Sequence, residues 1–139
     1  MSQELEENEF FRFYEVLEDE KRRIRSSLKE KLYAKNEIIM AYLYGSILKS
    51  NVIRDIDVAV YVTEVKNYLD YKFKLEEELS NQLGYPVDVK ILNEAPFWFT
   101  LEVCSEGELL FSRIPCFSTK ICKKALEELE GLRLKNKYF

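Results

Sequence analysis

The chain contains no histidine in 139 residues. Without imidazole there is no histidine general base, no Ser–His or Cys–His nucleophilic pair, and no histidine-containing zinc site. Acid–base and metal chemistry therefore fall to carboxylates, with Lys, Tyr and Cys as lesser candidates. Cysteine is scarce as well: Cys104, Cys116 and Cys122 are odd in number and form no CxxC pair, so free thiols in a reducing compartment are expected. No apolar run approaches the ~20 residues that a bilayer-spanning helix needs. The start, MSQELEENEF, is acidic and polar, unlike a signal or transit peptide, so a soluble cytoplasmic protein is expected.

What is present is enough for one well-packed domain. Hydrophobic residues make up 47% and aromatics 14%, which supports a real core, and the length argues against a two-domain enzyme. The net charge, 21 − 25 = −4, argues against a broad electrostatic grip on nucleic acid or anionic lipid, so neither stable nucleic-acid binding nor membrane attachment is expected.

Residues 1–36 read as an N-terminal helical segment and residues 37–139 as the main domain. From about Glu4 to Lys35 there is no Gly or Pro, and Phe10, Phe13, Leu17, Ile24, Leu28 and Leu32 recur at helical spacings. One long amphipathic helix, or two broken near Ser26, fits this pattern, with Lys21, Arg22, Arg23 and Arg25 on a solvated face. At Ile38 the texture changes. Ile38 to Tyr44 is a continuous apolar run, read as a buried strand ending at Gly45, and Asp55 to about Val62 reads as its antiparallel neighbour. Tyr68, Tyr71, Leu75, Leu79 and Leu83 then mark a helix that Gly84 and Pro86 terminate. A short strand over Val87 to Leu92 follows. After Pro96 comes a short helix, with a strand as the alternative, then a turn at Glu106–Gly107 and a strand from Leu109 to Ser112. A closing helix from Ile121 to Leu134 turns Ala125, Leu129 and Leu132 inward. The class is α+β, a single domain with a small mixed β-sheet packed against helices.

The chemistry is concentrated on two of these strands. Asp is depleted in strand interiors because a half-buried carboxylate must be paired or desolvated. Asp55 and Asp57 lie two apart and so share a face, where they repel each other unless a divalent cation sits between them. Oxygen donors without histidine point to a hard ion, Mg²⁺ or Mn²⁺. Upstream, Gly45 allows a phosphate to approach the backbone closely, and Ser46 adds a hydroxyl beside exposed amides. Asp88 alternates with Val87, Val89 and Ile91 and so faces away from them. If its strand lies beside the first pair, three carboxylates converge, the third completing a second metal site or taking a proton from an attacking hydroxyl.

Gly45-Ser46, eight residues, Asp55-Ile56-Asp57, then a helix and a strand bearing Asp88, resembles the nucleotidyltransferase superfamily related to DNA polymerase β. The stretch from Val87 to Pro96, with Glu106 to Arg113 and a closing helix, is similar to the minimal nucleotidyltransferase (MNT) family, which includes the MntA-type antitoxins of HEPN–MNT pairs. The resemblance spans about Ile38 to the C-terminus. It implies a polymerase β-like nucleotidyltransferase fold and metal-dependent transfer of AMP from ATP to a hydroxyl, in the MntA-type proteins a tyrosine of the partner HEPN ribonuclease toxin. Asp55 and Asp57 would then hold Mg²⁺, Asp88 would complete the triad, and Gly45 and Ser46 would hold the triphosphate. Lys49, Arg54 and Lys90 stand near enough in sequence to neutralise phosphate charge.

Two other classes compete. One is a binding module of the same fold that neutralises its partner by occlusion, through aromatic stretches such as Phe97-Trp98-Phe99 or Phe10 to Tyr14. The other is a small-molecule nucleotidyltransferase, ranked lower because no second domain encloses a substrate. Polymerase activity ranks last, since duplex-binding parts are absent. Self-association is left open.

Overall fold

A computed structural model describes residues 3–7 and 12–138. Its centre is a four-stranded sheet of order β6-β5-β3-β7, formed by β3 (Ile38–Tyr44), β5 (Ile56–Val62), β6 (Val87–Ile91) and β7 (Glu108–Ser112). β3 lies antiparallel to both β5 and β7, and β5 is parallel to β6. A parallel neighbour requires a crossover, which α3 (Tyr68–Leu83) supplies. A second, small sheet of order β1-β2-β4 joins β1 (Gln3–Glu7), β2 (Arg12–Glu15) and β4 (Val52–Ile53).

Helices cover both faces of the central sheet. On one face α1 (Glu18–Tyr33) and α3 bury Ile24, Leu28, Leu32, Leu75, Leu79 and Leu83 against Ala41, Leu43, Val58, Val60 and Val89. On the other face α4 (Phe97–Glu106) and α5 (Phe117–Tyr138) cover Met40, Tyr42 and Ala59. Purely apolar strands with both faces covered explain the continuous Ile38–Tyr44 run. α3 ends as its sequence dictates: Gly84 adopts φ 82°, ψ 17°, and its N–H caps Ser80 O. Asn67 opens the same helix by accepting from the Asp70 amide.

Several expectations are corrected. Among the described residues, helical periodicity before Glu18 does not produce helix: Gln3–Glu7 and Arg12–Glu15 are strands, and α1 starts at Glu18. β2 finds an antiparallel partner in β4, a pairing no local pattern announces. Phe10 lies outside the described residues. The basic run on α1 is not simply solvated, because Lys21 is buried and donates to Ser50 O at 2.8 Å. Cys104 and Cys122 are not free thiols: α4 and α5 lie side by side, Cα–Cα 6.0 Å, and a disulfide joins them, leaving Cys116 free and exposed. The closing helix is longer than expected, and its second half projects, so Leu132 is exposed rather than inward.

Glu20 is the most consequential buried charge of α1. Only 7% exposed, it accepts from Arg23 and from the Tyr85 hydroxyl at 2.7 Å. The Arg23 hydrogen bond, against the cost of burial, holds its carboxyl down at about 2. A depressed acid stabilises the fold above the unfolded-chain value and loses that contribution as pH falls through the folded value. Because Arg23 is half exposed, the contribution is discounted to ~1–2 kcal/mol. Glu20→Gln is therefore expected to lower stability by about this amount at pH 7, with the gap to the parent closing as pH falls from about 4 to about 2 in denaturant titrations.

Candidate active site

The register of the central sheet decides where the acids stand. Tyr44 of β3 pairs with Asp57 of β5, and Asp57 pairs with Asp88 of β6. One row across three strands thus carries a phenol and two carboxylates, with neighbouring strands ~4.8 Å apart. The row lies on the face shared with Ala59 and Tyr42, beneath α4, where Phe99 meets Tyr44 edge-to-face at 5.6 Å. Val58, Val60, Val89 and Ile91 point the other way, into the α1–α3 core. Asp55 stands one residue before β5 begins and shares a hydrogen bond with Asp57.

Asp57 is the strained member electrostatically. Burial first, then the charges of Asp55 and Asp88, push its carboxyl up to about 7, with Lys90 opposing. Burial and the same acids push Tyr44 well above the usual phenol value, so its hydroxyl stays protonated. Gly45 follows directly, at φ 85°, ψ −152°, a conformation that side chains disfavour. A β-carbon there would lie 3.0 Å from Asp57 Cγ and closer still to its Oδ2. Glycine is required both by its own dihedrals and by the carboxylate against it. Ser46 opens the one-turn helix α2 (Ser46–Lys49), which with β4 fills the interval before Asp55.

The expected cations divide. Lys90 reaches Asp88 Oδ2 at 3.7 Å and Arg54 reaches Asp55 at 4.0 Å, whereas Lys49 is engaged by Glu106 of α4 at 2.8 Å. Sequence reasoning missed Lys72 of α3, whose Nζ lies 3.3 Å from Asp88 Oδ1 and 2.5 Å from Glu76 Oε2. Glu76 also accepts from the Val89 amide at 2.9 Å, tying α3 to the strand that carries Asp88. The available signal was a Lys72–Glu76 pair four residues apart beside the inward Tyr71, Leu75 and Leu79.

Among the described residues no group of three or more acidic or cysteine side chains could by itself hold a metal ion. The donor set nevertheless fits one: Asp55 and Asp57 form an all-oxygen pair sharing a hydrogen bond, a crowding that a divalent cation would relieve. Mg²⁺ typically takes only one or two carboxylates and completes its shell with water and substrate phosphates.

A mixed sheet with paired acids beside a glycine turn defines the class as a nucleotide-transferring fold. The nucleotidyltransferase family of polymerase β matches residues 26–115, and the chain belongs to that family. No curated protein matches the chain. Among solved structures, the chain is similar to one of a tri-AMPylated Shewanella oneidensis HEPN toxin in complex with MNT antitoxin. The identity is 18% and the TM-score 0.68, over 85% of this chain and 93% of that one. A toxin–antitoxin structure with AMP-PNP gives 20% and 0.65, over 85% and 93%. The MntA–HepT toxin–antitoxin gives 18% and 0.61, over 86% and 92%. At such identities the likeness is one of fold.

Gly45→Ala is expected to leave the chain folded, to cost ~1–3 kcal/mol from the positive φ and the displaced Asp57 side chain, and to abolish nucleotide binding. Thermal melts by circular dichroism and calorimetric titration with ATP and Mg²⁺ measure the two effects separately.

Proposed function

We propose that this chain is a minimal nucleotidyltransferase antitoxin that transfers AMP from ATP to a tyrosine hydroxyl of a HEPN-type partner protein. The observation that carries the reading is the row of Asp57 and Asp88 in register, with Asp55 hydrogen-bonded to Asp57 and Gly45 packed against it. The solved relatives support it, since one contains an AMPylated HEPN toxin and another AMP-PNP.

The proposed residue roles follow from the environments. Asp55 and Asp57 would hold Mg²⁺ or Mn²⁺, with Asp88 beside them on the neighbouring strand as the base. When bound, the cation offsets the charge of the triphosphate and of the departing pyrophosphate. Gly45 leaves space for a phosphate against the backbone, and Ser46 offers its hydroxyl there. The Asp88 carboxylate accepts the proton of the attacking hydroxyl. A new bond forms between that oxygen and the α-phosphorus, while the bond from α-phosphorus to the β-bridging oxygen breaks and pyrophosphate leaves with its electron pair. Lys49 would reach phosphate only by releasing Glu106.

Incubation with labelled ATP, Mg²⁺ and a candidate HEPN-type partner protein tests the proposal. Label is expected on a tyrosine of the partner, with the rate falling at least ~10²–10³-fold in Asp57→Asn. A tight complex that carries no label and is unaffected by that substitution would mean neutralisation by occlusion instead.

A further inference from the structure

We infer that the groove beside Asp88, between α3 and α4 at the β6 edge of the sheet, is the docking site for the partner segment that presents the acceptor hydroxyl. The inference rests on the proposed transfer reaction and assigns the side from which the acceptor enters. In-line displacement requires the nucleophile to enter opposite the leaving pyrophosphate. With phosphates held at Gly45 and Ser46, after β3, the opposite flank of Asp57 is β6, because the strand order is β6-β5-β3. That flank opens onto a groove of about 400 Å³ lined by Leu69 and Lys72 of α3, Lys90 of β6, Pro96, and Trp98 and Phe99 of α4.

The composition of the groove suits a folded protein surface. Leu69 is 58% exposed and Trp98 61%, an uncovered apolar and aromatic pair beside a reaction centre. Tryptophan in such a position is the residue type most often found to anchor protein contacts. The lining carries Lys72, Lys90 and Glu94, with Asp88 facing both lysines and Glu76 facing Lys72, so charges of both signs are interspersed and neither dominates. A strongly acidic or basic partner is therefore not selected, whereas an apolar one is.

The mode of docking is also constrained. β6 is an edge strand, which ordinarily invites an extra strand. Here its outward amides are taken: Val87 N donates to Ser80 Oγ at 3.0 Å and Val89 N to Glu76 Oε2 at 2.9 Å. Strand addition along Val87–Val89 is blocked, so the partner must be held by side chains. The occupant assigned is a helix or loop of the partner that carries its tyrosine between apolar residues. The competing occupant is the adenine base of ATP, stacked on Trp98.

Trp98 is the single tryptophan of the chain, so 5-fluorotryptophan incorporation gives one reporter signal. The ¹⁹F resonance is expected to stay solvent-accessible with ATP and Mg²⁺ alone and to shift and become shielded when the unlabelled HEPN-type partner protein is added. Shielding by ATP alone, or a complex that leaves Trp98 accessible, overturns the assignment. In transfer assays, Leu69→Ala with Trp98→Ala is expected to raise the KM for the partner ~10-fold while the affinity for ATP stays at the parent value. A weakened ATP affinity with unchanged partner KM overturns it too. If the partner shields Trp98 but no label is ever transferred, the groove stands and the transfer reading falls. If no complex forms at all, both fall.

Discussion

The structure is organised around one carboxylate, that of Asp57. It is half-buried in the middle of a sheet, hydrogen-bonded to Asp55, in register with Asp88, and pressed against the backbone of Gly45. Each neighbour is what such a group demands. Glycine is required where its carboxylate meets the next chain reversal. A phenol with a raised pKa, Tyr44, occupies the adjoining row position without adding charge. The rest of the fold has to hold this repulsive arrangement together, and it does so from the opposite face of the sheet.

That opposition is a matter of period. Side chains alternate across a strand, so the residues flanking Asp57 and Asp88, namely Ile56, Val58, Val87 and Val89, drive into the α1–α3 core while the acids face α4. A slip of one residue in either strand would send a carboxylate into that core and expose the valines. Burying an uncompensated charge there costs several kcal/mol, on top of the lost apolar burial. The hydrophobic core is therefore what fixes the register of the polar row. Gln3–Glu7 and Arg12–Glu15 play no part in this, and β2 attaches instead to β4 in the interval between the glycine turn and Asp55.

Which features could be read from the chain follows from how local their causes are. Strands β3, β5 and β6 were legible because their apolar residues have one period and their acids break it at positions of one parity. The end of α3 was legible because Gly84 is a local stop. The disulfide was not, since Cys104 and Cys122 lie 18 residues apart and meet only once α4 and α5 pack together. The first strands were not, because Phe13 and Leu17 fit a helical spacing as well as a strand, and the deciding partner, β4, is two residues long. Lys21 looked like part of a solvated charge run, yet its buried ammonium caps Ser50 O on the loop before β4. Lys72 and Glu76 required the knowledge that α3 lies along β6.

Within the acidic row the environments are unequal, and the inequality separates two kinds of carboxylate. Asp88 has ammonium groups on both oxygens, Lys72 at 3.3 Å from Oδ1 and Lys90 at 3.7 Å from Oδ2, so its charge is balanced inside the protein. Asp57 has Asp55 as its hydrogen-bond partner, and Lys90 is only a minor opposing influence upon it. In the proposed reaction, the pair still in need of positive charge is the one suited to an incoming divalent cation. The acid already compensated by lysines would be the one to meet an incoming hydroxyl, on the flank where Trp98 and Leu69 remain uncovered.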